Sequence, residues 1–95
     1  MENFSIKAFD ELFEAVLKLD DIKDCRNFFE DVCTIKELQD MTQRLEVAKL
    51  LSKGKNYQEI SKATGASTAT ISRVNKCLVY GKGGYKSVIG EKEND

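Results

Sequence analysis

The chain has 95 residues, 15 Lys/Arg against 16 Asp/Glu, no histidine and a net charge of −1, enough for one small domain. No apolar run approaches the ~20 residues that cross a bilayer, and the start MENFSIKAF lacks the charged-then-apolar layout of a signal peptide, so a cytoplasmic location is expected. Proline is absent, the first glycine is Gly54, and no segment alternates with period two, which excludes a β fold and predicts an all-α one.

Taken in chain order, residues 4–19 place Phe9, Leu12, Phe13, Val16 and Leu17 at helical spacing. Asp20 or Asp21 then caps a second helix on which Ile22, Cys25, Phe28, Phe29 and Val32 recur on one side. Thr34 and Glu37 form a capping box, in which hydroxyl and carboxylate each accept the other residue's free amide. It opens a long third helix with Leu38, Met41, Leu45, Ala48 and Leu51 facing one way, widened by Val47 and Leu50. Lys49 and Lys53 complement the dipole at its C-terminal end, and Gly54 ends it. Asn56 with Glu59 is a second capping box and starts a fourth helix, and Ser67 caps a fifth. The segment YGKGGYK (80–86) is expected not to stay helical, and a disordered tail is expected over 87–95. The expectation is five helices in a single domain over residues 1–86.

The stretch from Tyr57 to Cys77, YQEISKATGASTATISRVNKC, has the layout of a helix-turn-helix spanning about residues 57–78. Ile60 points inward from the first helix, Gly65 supplies the left-handed turn, and Ile71 and Val74 point inward from the second. Ser61, Thr64 and Ala66 are small enough to let the helices close on each other. The outward face of the second helix is Thr68, Ala69, Ser72, Arg73 and Lys76, short polar side chains with cations, which suits the major groove of DNA. The alternatives are two ordinary packed helices or a protein-interaction scaffold.

Charge divides at the motif. Residues 1–42 carry −6, residues 43–90 carry +7 and the last five carry −2. A basic half that coincides with a helix-turn-helix is what phosphate contact requires, although segregated surface charge alone gives the same tally. Cys25, Cys33 and Cys77 are odd in number, widely spaced and without a CxxC, so they read as buried reduced thiols and not as a zinc site; no metal is expected. With no histidine, nucleophile motif, phosphate loop or metal-spaced carboxylates, no enzyme is expected.

The run RLEVAKLLSKGKNYQEISKATGASTATISRVNKCL resembles the Trp repressor superfamily, and the stretch from FFEDVCTIKEL through YGKGGY is similar to its branch of Trp-repressor-related proteins of the YerC/YecD type. The similarity covers roughly residues 5–85, and GASTATISR is its most specific part. It implies an intertwined all-helical homodimer that represses transcription and holds an indole corepressor in a pocket beside the motif. On that resemblance the candidate ligand-pocket residues are Thr34, Arg44, Arg73, Val74 and Cys77. Val74 stands where the family has a glycine, and Cys77 where it has the serine that meets the ligand's amino group. Both departures work against a zwitterionic amino acid, so the expected corepressor is another small molecule or none, and not tryptophan.

The roles follow from chemistry. Thr68 and Ala69 are expected to touch base edges; Ser67, Thr70 and Ser72 to bond phosphates or bases, or simply to cap and face solvent. Lys55, Lys62 and Lys76 are expected phosphate contacts. Arg73 reads equally as a phosphate contact, a ligand-pocket residue or an ion-pair partner, and Arg44 as a ligand or carboxylate partner. Tyr80, Lys82, Tyr85 and Lys86 form either an arm along DNA or a flap over the core. Wide apolar faces on the first three helices exceed what a chain this short buries alone, which favours a second copy over a thin-cored monomer. The expected function is a sequence-specific DNA-binding transcriptional regulator, a repressor on a palindromic operator, its partners double-stranded DNA and its own copy. The alternative is an interaction scaffold or accessory non-specific DNA-binding module.

Overall fold

The computed structural model describes residues 6–90, and every element there is helical: α1 (Ile6–Val16), α2 (Ile22–Val32), α3 (Ile35–Ser52), α4 (Tyr57–Thr64), α5 (Thr68–Tyr80) and α6 (Gly84–Ile89). The count is six, not the expected five. The chain divides into two compact units, Met1–Leu38 and Gln39–Asp95. No helix among the described residues is long and apolar enough to cross a membrane.

In the first unit the caps are as expected. Asp21 is the N-cap of α2, its carboxylate accepting the Asp24 amide at 2.8 Å. The Asp24 carboxylate in turn accepts the Asp20 amide at 3.4 Å. Thr34 and Glu37 make their reciprocal box at 2.8 and 3.0 Å. Packing is another matter. Neither α1 nor α2 has a buried residue, and Phe9, Leu12, Phe13, Ile22 and Val32 are all exposed. Phe28 and Phe29 meet edge to face, their centroids 5.2 Å apart, and both stay half-buried.

The buried side chains among the described residues all lie in the second unit: Val47, Ala48, Ile60, Ala66, Ile71 and Val74. They form one cluster, with Leu50, Leu51, Tyr57, Leu78, Tyr85 and Ile89 packed around it. The C-terminus of α3 closes as a Schellman motif, the Lys55 amide donating to the Leu50 carbonyl and Gly54 to Leu51. Asn56 and Glu59 then form the second capping box, at 2.9 and 3.1 Å.

The C-terminal segment corrects two expectations. Residues 84–89 are a short helix, not an irregular stretch, so residues 87–89 are not part of a disordered tail; the remainder of that expectation, residues 91–95, lies outside the described residues. The reason is a left-handed step at Gly83, φ 84°, which breaks the chain away from α5 and lets it re-enter a helix. Tyr85 and Ile89, one turn apart on α6, then pack against the core, so for Tyr85 the flap is the arrangement found. The thiols are also less buried than expected: Cys25 and Cys33 are half-buried and Cys77 is exposed.

Candidate nucleic-acid interface

The site is built on the corner between α4 and α5. Gly65 takes φ 77°, a left-handed conformation that ends α4. Its amide donates to the Ser61 carbonyl at 2.8 Å. Side chains then weld the turn. The Ser61 hydroxyl donates to the Ala66 carbonyl at 2.9 Å, and the Thr64 hydroxyl donates to the Ile60 carbonyl at 2.8 Å while accepting the Ala66 amide at 3.1 Å. Residues that sequence reasoning valued for their small size therefore also satisfy backbone groups that the tight corner would otherwise leave unpaired.

Ser67 begins α5, its hydroxyl accepting the Thr70 amide at 3.1 Å and donating to the Thr70 hydroxyl at 3.2 Å. These bonds give Ser67 and Thr70 capping roles, and Thr70 is half-buried. From there the helix has two faces. Ile71 and Val74 are sealed in the core, with Leu78 partly buried one turn on. Thr68, Ala69, Ser72, Arg73 and Lys76 are exposed on the opposite side, as the spacing predicts. Lys62 on α4 and Lys55 in the loop before it are exposed as well. Residues 43–90 carry +7, so this surface sits in a strongly cationic stretch.

The candidate ligand-pocket residues fare differently. Val74 is 2% exposed and belongs to the core of the corner, so its side chain is not offered to a ligand. Arg44, Arg73 and Cys77 are exposed. Thr34 is in the first unit, with its hydroxyl already accepting the Glu37 amide.

Two features escaped the sequence reading. Tyr80, expected to open the non-helical segment 80–86, is instead the last residue of α5 and is 82% exposed. Gln43 on α3 reaches across the corner and donates its side-chain amide to the Thr64 carbonyl at 3.2 Å. No local signal marks Gln43: Gln39 and Asp40, one turn before it on the same side of α3, are polar as well.

Residues 7–93 match the model of the Trp repressor protein. The chain belongs to the Trp repressor family. It is 51% identical over 83 residues to the uncharacterized protein YerC of Bacillus subtilis strain 168, spanning 87% of this chain and 80% of that one. Among solved structures it is similar to a TrpR-like protein from Eubacterium eligens, with a TM-score of 0.85 and 49% identity over 93% of this chain and 91% of the other. A candidate Trp repressor of Staphylococcus aureus superposes equally well, TM-score 0.85, at 44% identity over 93% of this chain and 88% of the other. As a Trp repressor family member, the chain keeps its similarity across both units, since the match begins at residue 7 in α1.

Proposed function

We propose that this protein is a transcriptional regulator that binds double-stranded DNA through α5, and that it acts as a repressor on a palindromic operator as a homodimer. The observation that carries the reading is the division of α5. One face is sealed by Ile71 and Val74, while Thr68, Ala69, Ser72, Arg73 and Lys76 stand free on the other. A helix held so firmly from behind presents a rigid surface, and that surface is free of bulky side chains at its N-terminal end. Thr68 and Ala69 then meet base edges; Ser72, Arg73 and Lys76, with Lys55 and Lys62, meet phosphates. Ser67 and Thr70 serve mainly to cap.

Membership of the Trp repressor family supports the regulatory reading. The dimer is supported by the first unit, whose Phe9, Leu12 and Phe13 lie on one side of α1 and remain exposed in the single chain. A second copy would cover them and set two α5 helices at the spacing of one DNA turn, about 34 Å. Any effector is a small molecule other than tryptophan. Cys77 offers only a weak hydrogen bond, and Val74 is committed to the core, which leaves Arg44 and Arg73 as the groups able to hold an anion.

The decisive experiment is to incubate the purified full chain with sheared genomic DNA from its source and sequence what is retained. Enrichment of one short palindrome with arms a helical turn apart is expected. Uniform, salt-sensitive retention would point to the accessory, non-specific module instead. If about six phosphates are neutralised per dimer, the slope of log affinity on log salt is about −5.

A further inference from the structure

The hydrogen bond from Gln43 has no part in the reading above. It spans 21 residues of sequence and ties the long helix α3 to the end of α4. Thr64 carries one of the last carbonyls of α4, a group with no partner inside its own helix. A carbonyl only accepts, so the amide nitrogen of Gln43 is the atom that must face it, at 3.2 Å. The same nitrogen lies over the corner: a Cβ built on Gly65 would be 4.0 Å from it. Thr64 is also the hub of the turn, because its hydroxyl bridges the Ile60 carbonyl and the Ala66 amide. Ser67, the cap of α5, follows Ala66 directly.

We infer that Gln43 is a positioning residue for DNA recognition: through Thr64 it fixes the corner on α3 and so sets the angle at which α5 is presented. The inference rests on the DNA-binding reading of α5 and adds the device that aims it. Packing of Ile60, Ile71 and Val74 keeps α5 attached, but apolar contacts are non-directional. A hydrogen bond with a fixed donor and acceptor supplies direction to the same joint. In this role Gln43 acts through the turn, by its bond to Thr64.

The test compares the full-length parent with Gln43→Met, which keeps length and flexibility but donates nothing, Gln43→Glu, which sets an acceptor against the Thr64 carbonyl, and Gln43→Lys, which restores a donor. Two quantities are read. The first is hydrogen exchange of the Gly65 and Ala66 amides, with the Val74 amide as an internal standard. Gln43→Met is expected to speed exchange at the corner by about fivefold and Gln43→Glu by more, with Val74 unchanged and Gln43→Lys closer to the parent. The second is the ratio of affinities for the genomic sequence that the parent retains and for a shuffled duplex of equal length. Gln43→Met is expected to lower that ratio by about five- to tenfold while non-specific affinity stays within about twofold, because the charges facing phosphate are unaltered.

An unchanged exchange rate at Gly65 and Ala66 overturns the inference, whatever happens on DNA. So does a specificity ratio equal to the parent's, or a loss in which specific and non-specific binding fall together with thermal stability, as a purely structural role would give. If the parent itself enriches no sequence, the DNA reading fails instead, and the exchange comparison still decides whether Gln43 holds the corner.

Discussion

The two units of this molecule use the same local chemistry to different ends. Both contain a capping box, Thr34 with Glu37 in the first and Asn56 with Glu59 in the second, and both place apolar residues at helical spacing. Yet α1 and α2 bury nothing, whereas α3, α4 and α5 each contribute residues to one closed cluster. The difference lies in what faces the apolar stripe. Around Val47 and Ala48, α4 and α5 return sharply through Gly65 and supply Ile60, Ala66, Ile71 and Val74 at short range. No such return exists within Ile6–Val32. Helix formation and core formation are therefore separable here, and the second unit is the one that can hold a surface in a defined shape.

That contrast can be tested at its strongest point first. Ile60→Ala or Ile71→Ala should lower stability by about 2–5 kcal/mol, read by denaturant unfolding, because each empties a fully buried site. A loss under about 1 kcal/mol would mean that the cluster is not the core of the unit. Phe13→Ala, at a side chain 56% exposed in the single chain, should instead act through association. Sedimentation should show a shift towards monomer and a melting temperature that depends more steeply on concentration. Identical sedimentation of mutant and parent would leave the apolar side of α1 without the second copy proposed for it.

Ala69→Glu probes the surface alone. It should reduce DNA affinity at least about 100-fold by setting a carboxylate against phosphates, with circular dichroism and melting unchanged, since Ala69 is exposed. Full retention of binding would remove α5 as the reading helix. A smaller effect belongs to Gly65→Ala, which forces a Cβ into φ 77° and should cost about 1–2 kcal/mol in a thermal melt. Least of all, Asn56→Ala and Thr34→Ala should each cost about 1 kcal/mol through loss of a cap. Near-equal values would show that the units share their local energetics and differ only in packing.

Much of this was legible in the order of residues. Caps are local, so Asp20 or Asp21, Thr34, Asn56 and Ser67 declare their helix starts without any tertiary partner. The corner was legible too, because Gly65 between Thr64 and Ala66 answers a local need of the backbone. The sixth helix was not. Four glycines between 81 and 90 read as irregular chain, and only the docking of Tyr85 and Ile89 on the core makes Gly84–Ile89 worth forming as a helix. Val74 was placed beside a ligand through family resemblance, although the period of α5 already turned it inward with Ile71.

What the sequence determined by itself was therefore the first five helices with their caps, the corner at Gly65 and the polar outer face of α5, all consequences of interactions between residues at most a few turns apart. Only the tertiary structure decided which apolar stripes are buried, that Tyr85 and Ile89 fold α6 against the core, and that Gln43 reaches Thr64. Those depend on which element lies opposite which, and a hydrogen bond across 21 residues leaves no periodic trace in the chain.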